Sequence, residues 1–158
     1  MEIRSIEDAD TSAVIGINAA SVWATSPMDE AALDLARRQS AHLLVGEVEG
    51  EVAGFAIAYA PGAGYASINY RWHADQFDDF LYLDRIVISL DFRRRGLASA
   101  LYDAMESHAA AHGRMVCEVN SEPPNVESLA FHAARGYREI GHLTQADGHQ
   151  TVMLEKSL

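Results

Sequence analysis

One segment limits the possible folds more than any other: Ile86-Val87-Ile88-Ser89-Leu90-Asp91-Phe92-Arg93-Arg94-Arg95-Gly96-Leu97-Ala98. A β-rich run passes through a tight basic turn directly into a helix. The inner stripe of that helix is Leu97, Leu101, Ala104 and Met105, and Gly113 stops it. The first N–H groups of a helix lack intrahelical partners and point at one spot, so such a turn is a ready anion site. Gly96 has no Cβ to obstruct backbone approach, Ala98 is small, and three arginines add charge. The plainer reading is a solvated helix start with a surface charge run. The glycine spacing and the missing lysine rule out a Walker loop and a dinucleotide fingerprint.

Around this turn the periodicities predict a mixed α/β domain in the order β-αα-β-β-β-α-β-α-β-β. Residues 1–6 alternate as a strand. Asp8 or Asp10 caps a helix with Ala13, Val14, Ile17 and Ala20 or Ser21 on one face, and Thr25-Ser26-Pro27 breaks it. A second helix follows over about 29–38, with Ala32, Leu35 and Ala36 inward. Residues 42–47 and 52–59 flank Glu49-Gly50-Glu51 as a hairpin. The second of these runs is apolar on both faces, as a covered central strand is, and Gly54, Ala56 and Ala58 leave one face open to close approach. Residues 61–80 read as a long connection rich in aromatics and acids, a kind of loop that tends to carry function. Strands over 81–89 and 116–120, a helix over 125–135 and strands over 137–143 and 150–155 complete the chain, with no repeat or linker. All 158 residues therefore form one domain.

A formal net charge of −11 argues against nucleic acid and anionic membrane partners and suits small cationic substrates. The single cysteine, Cys117, cannot form an internal disulfide and sits in a strand read as core, which fits a reducing cytoplasm. The start MEIRSIEDAD holds no apolar signal region, and no stretch approaches membrane-spanning length. His108 and His112 have the spacing of a helical metal pair, but Ala109 breaks the HExxH pattern and no third ligand is evident, so no metal is expected.

The segment from Ile88 to Ala98 resembles motif A of the GNAT acetyltransferase superfamily, Gln/Arg-x-x-Gly-x-Gly/Ala, read here as Arg93-x-x-Gly96-x-Ala98. Downstream, Asn125, Ser128, Phe131, His132, Gly136 and Tyr137 are similar to that family's second acetyl-CoA motif. The element order also matches along essentially the whole chain. Asn69-Tyr70-Arg71-Trp72, Tyr82-Leu83-Asp84-Arg85 and Glu118-Val119-Asn120 look like a bacterial subgroup of acetyltransferases. The resemblance implies an α/β (α+β) GNAT fold: a mixed, mostly antiparallel sheet of about seven strands with about four helices. It further implies acetyl-CoA as acyl donor, a homodimer, and direct acetyl transfer to a primary amine, with a small molecule favoured as acceptor.

Carried over residue by residue, Val87 and Ile88 would contact the pantetheine arm and Arg93, Arg94, Arg95, Gly96, Leu97, Ala98 and Ser99 would cradle the pyrophosphate. Asn125 would reach the cofactor from the next helix. His132 stands where many members carry the tyrosine that protonates the leaving thiolate. An imidazolium can do the same; on the other reading the histidine is structural, and the thiolate leaves to solvent or is met by a tyrosine of the long loop. Asp84 leads as base or ammonium ligand, its alternative being an ion pair with Arg85. Glu118 and Asn120 alternate onto one strand face beside it. Asn69, Tyr70 and Trp72 form either a substrate wall with aromatic faces suited to a cation, or a packed loop. A CoA-binding regulatory module without catalysis and an acetyltransferase of protein N-termini or lysines are the competing functions.

Overall fold

The computed structural model describes residues 1–22 and 25–158. Seven strands, β1 (Glu2–Ser5), β2 (His42–Val48), β3 (Glu51–Tyr59), β4 (Leu81–Ile88), β5 (Arg114–Glu122), β6 (Arg138–Thr144) and β7 (Gln150–Ser157), form one sheet. Their order is β1-β2-β3-β4-β5-β7-β6. Five helices accompany them: α1 (Thr11–Ala19), α2 (Glu30–Gln39), α3 (Ile68–Gln76), α4 (Leu97–Ala109) and α5 (Val126–Ala134). Every neighbouring pair is antiparallel except β4 and β5, and a parallel pair needs a crossover, here α4. That pair is in register only at Leu81↔Met115 and Tyr82↔Val116, after which the two strands part. The split opens the middle of the sheet.

Two apolar layers cover the sheet. On one face Leu44, Ala56, Ala58, Leu83, Met115 and Cys117 pack against Leu97, Leu101, Tyr102 and Met105 of α4. On the other, Phe55, Ile57, Tyr59, Tyr82 and Val116 pack against Val14 of α1, Leu33 of α2 and Tyr70 of α3. The small residues of β3 do admit a close neighbour, and it is α4. Gly46 and Gly54 pair across β2 and β3. A Cβ at Gly46 would lie 2.4 Å from Leu97 Cδ1, and one at Gly54 would lie 3.3 Å from Leu97 Cδ2. The glycine pair is thus the seat of the first residue of α4.

The helices differ in detail from the sequence expectation. α1 buries Val14, Asn18 and, just beyond its end, Ser21, while Ala13 and Ala20 face solvent. The polar Asn18 is inside because it carries a hydrogen-bond network described below. Asp10 does not cap α1 with its side chain: its carboxylate accepts from Arg4 and from Glu7 N–H. α2, capped by Asp29, buries Leu33 and Ala36 and leaves Leu35 45% exposed. The fifth helix, α3, lies inside the segment read as a long connection. It has no apolar stripe. Ser67 caps it by accepting from Tyr70 N–H, and Tyr70 and His73, one turn apart, hold it to the sheet.

Candidate active site

The turn between β4 and α4 has the anticipated conformation for a different local reason. Gly96 lies at φ 83°, and a Cβ there would meet no atom within 4 Å. The left-handed dihedral, rather than crowding, calls for glycine. Arg94 also takes positive φ, at 61°. No side chain caps α4, so its first N–H groups are directed at the groove beside it. That groove, about 550 Å³, runs between the start of α4 and α5 and is lined by Ile86, Ile88, Arg93, Arg94, Gly96 and Phe131, among others. Leu97, Ala98, Ser99 and Asn125 also line it. Arg95 is turned onto the Phe92 ring, 5.1 Å from its centroid. Asn125 borders the groove while its Oδ1 caps α5 by accepting from Ser128 N–H at 3.1 Å.

Strand parity decides which backbone groups of β4 face the split. Ser89 N–H donates to Ala53 O at 2.8 Å. Two residues back in the same ladder, Val87 and Phe55 are therefore the next hydrogen-bonded pair, and Ile86 and Ile88 turn their N–H and C=O away from β3. The backbone offered to a ligand in the gap is that of Ile86 and Ile88. Val87 is instead buried on the opposite face, its backbone spent on β3.

Beyond the groove the opening continues through a middle cavity of about 210 Å³ into a polar cavity of about 520 Å³ on the α1–α3 side. Asp84, Arg85, Glu118 and Asn120 line both of these cavities. A bulge places the first two: Leu83 pairs with Ala58 and Arg85 with Ile57, which leaves Asp84 as the extra residue and turns neighbours in sequence toward one side. Asp84 accepts from Tyr65 Oη at 2.7 Å and from Arg85 Nε at 2.9 Å. Arg85 then donates to Asn18 Oδ1, Ser26 O and Ser26 Oγ, which ties β4 to α1 and the chain after it.

Glu118 is held at one oxygen only. Its Oε1 accepts from Tyr82 Oη at 2.8 Å and from Asn69 Nδ2 at 3.2 Å, while its buried Oε2 has no partner among the described residues. Burial, reinforced by the charge of Asp84, pushes its pKa up to about 8 against the pull of the two donors. Gln145 extends the chain by donating to Asn69 Oδ1 at 2.8 Å and Thr151 Oγ1 at 2.9 Å. Asn69 therefore lines the cavity, but its sequence neighbours do not. Tyr70 is buried with its Oη donating to Ala60 O at 2.7 Å, and Trp72 packs over Gly141, whose Cβ would lie 2.5 Å from the indole.

His132 lies on the groove side of the split, buried, with Nδ1 2.7 Å from Ser128 O and Nε2 2.6 Å from Tyr102 Oη. A carbonyl can only accept, so Nδ1 carries the proton and Nε2 accepts from the tyrosine. Burial lowers the His132 pKa and raises that of Tyr102 far above its ordinary value. This pair holds no proton free to give. Tyr82, Tyr102 and Gln145 are site residues that sequence reasoning missed, because each is defined by a partner far along the chain, and Thr151, bonded to Gln145, was missed with them. Elsewhere, His108 stacks on His42 at 3.8 Å and His112 meets Asp79 at 2.6 Å. No group of three or more His, Cys, Asp or Glu among the described residues is arranged to hold a metal ion.

The arrangement suits a long anionic ligand that enters the split from the basic turn and meets a cationic one at two carboxylates. The fold is shared with proteins of known structure. Ard1 from Thermoplasma volcanium superposes with a TM-score of 0.78 at 22% identity, over 99% of this chain and 97% of that one. The ribosomal-protein-alanine N-acetyltransferase of Brucella melitensis gives 0.75 at 20% identity, covering 100% of both chains. The ribosomal-protein-S18-alanine N-acetyltransferase of Escherichia coli gives 0.72 at 19%, over 99% of this chain and 92% of that one. At these identities the likeness establishes the fold. No helix among the described residues is long and apolar enough to cross a membrane. Residues 2–137 match the acetyltransferase (GNAT) family, and on that match the chain belongs to it.

Proposed function

We propose that the protein transfers an acetyl group from acetyl-CoA to the primary amine of a small molecule, directly and with both substrates bound at once. The observation that carries this reading is the meeting of a basic groove and an acidic cavity at the split between β4 and β5. Acetyl-CoA, when bound, supplies the activated acyl group. The residues present fit it: uncapped N–H groups of α4 with Arg93 and Arg94 for its phosphates, and the free backbone of Ile86 and Ile88 for its arm. A β4 N–H in the gap also supplies a donor for negative charge on the acyl oxygen. In the acidic cavity Asp84 and the ionised form of Glu118 draw in the ammonium. Glu118, with an unpartnered oxygen and a pKa near neutrality, then takes the proton that the nitrogen must lose.

A catalytically silent CoA-binding module fits less well, since it has no use for a buried, half-partnered carboxyl such as Glu118. The protein-alanine acetyltransferases among the structural neighbours make a peptide N-terminus the competing acceptor. A homodimer and a cytoplasmic location belong to the same reading, and light scattering tests the first. The deciding experiment titrates acetyl-CoA calorimetrically into the wild type and into Gly96→Glu, then screens small amines beside N-terminal peptides for acetylation. Binding by the wild type alone, followed by turnover of small amines, supports the reading. Equal binding by both proteins, or turnover of peptides only, defeats it.

A further inference from the structure

We propose that Glu118 closes the proton circuit by itself: the carboxyl that accepts the proton of the amine passes it to the departing sulfur, and no second acid takes part. The inference rests on the acetyl-transfer reading above. Three observations carry it. Glu118 borders both the polar acceptor cavity and the middle cavity that joins it to the groove. Its carboxyl is anchored by Tyr82 and Asn69 at Oε1, while its buried Oε2 has no hydrogen-bond partner among the described residues and so holds the proton or gives it up without breaking a bond. On the other side of the split, both protons of the Tyr102–His132 pair are committed, one to His132 Nε2 and one to Ser128 O.

The acceptor sheds two protons in all: the ammonium proton goes to solvent before attack, and the second stays within these groups. As the amine nitrogen bonds to the acyl carbon and the carbon–sulfur bond breaks, the Glu118 carboxylate takes the second proton that nitrogen sheds. Glu118 then returns that proton to the sulfur, which leaves as a thiol, and is a carboxylate again for the next cycle. A tyrosine in this role would be left as a buried phenolate facing an imidazole lone pair, which is electrostatically costly. The charged and polar groups around Glu118 favour the shuttle. From β4, Asp84 opposes its ionisation, Arg85 is neutralised by Asp84, and Tyr82 donates to it; from α3, Asn69 donates. With its pKa raised to about 8, the protonated carboxyl is a weaker acid than an ordinary glutamate yet still acidic enough to protonate a thiolate.

The test needs no acceptor. Protein carrying ¹³C-carboxyl glutamate and labelled histidine is titrated with acid and base alone, with CoA, and with desulfo-CoA, which lacks the sulfur. Glu118→Gln assigns the signal, and Glu118→Asp does so if the glutamine variant fails to fold. CoA is expected to displace the Glu118 titration midpoint by about one pH unit relative to desulfo-CoA, as coupled groups do, while His132 responds to both ligands alike. The proposal is overturned if Glu118 titrates identically with the two ligands, or if His132 is the group that senses the sulfur. Should neither ligand bind in a parallel calorimetric titration, the acetyl-transfer reading itself fails, and this inference with it.

Discussion

Glu118 concentrates the chemistry of the site in one side chain, and its burial has consequences for both rate and stability. Because its pKa lies near 8 in the free protein, the base form is the minority at pH 7 and becomes dominant above 8. The kcat/KM for an amine is therefore expected to rise with pH through that value, and Glu118→Gln is expected to lose the limb along with roughly 10²–10⁴-fold in rate. A pH–rate profile of both proteins checks this; an unchanged limb in the variant would assign it to the amine itself. Stability moves the other way. The folded pKa is raised above the ordinary 4.5, so the folded state holds this proton more tightly than the unfolded chain does. The contribution is complete below about pH 4.5 and is lost as pH rises to about 8. Glu118→Gln is expected to melt above the wild type at pH 8, by a margin that shrinks toward pH 5, as melting curves at several pH values will show. The sequence alone displayed Asp84 on one strand and Glu118 and Asn120 on one face of the neighbouring strand. It could not display that His132 Nε2 is filled by Tyr102, thirty positions away, because that pairing exists only once α4 and α5 pack.

At the scale of elements, the groove depends on where α4 begins, and that is set by two strands distant in sequence. Gly46→Ala places a methyl group 2.4 Å from Leu97 Cδ1, so the side chain or the first turn of α4 must give way. The expected cost is about 1–3 kcal/mol of stability, together with weakened acetyl-CoA binding, because the anion-binding N–H groups shift with the turn. Gly16→Ala, on the exposed side of α1 with no atom within 4 Å of the new Cβ, is the control. It is expected to gain about 0.5–1 kcal/mol and leave binding unchanged. Denaturant unfolding and calorimetry of the two variants separate the outcomes; equal loss of binding in both would show that α4 is not seated as described. The small residues of β3 were legible as an invitation to close approach, and the partner proved to be this helix. The elements that escaped were those lacking a local period. α3 has no apolar stripe and is held by the burial of Tyr70 and His73, and the β4 bulge that swings Asp84 and Arg85 to one side leaves no mark on the alternation around it.

For the whole molecule, the net charge of −11 and the basic turn divide the labour between two substrates of opposite sign. An acidic surface attracts a cationic amine over long range, whereas an anionic donor meets attraction only where Arg93 and Arg94 line the groove. Salt screens the first effect over distance. The Debye length falls from about 30 Å at 0.01 M to about 10 Å at 0.1 M, comparable to the reach of a surface field but long beside a direct contact. At saturating acetyl-CoA, the kcat/KM for a cationic amine is therefore expected to fall several-fold between those ionic strengths, while kcat changes little. A flat kcat/KM would locate all of the recognition in Asp84 and Glu118. A rise with salt would mean that the acceptor approaches against a repelling positive surface, such as the groove itself. The same comparison distinguishes acceptors: a diamine must show a steeper slope than a monoamine of equal size, because each additional charge feels the full field of the protein.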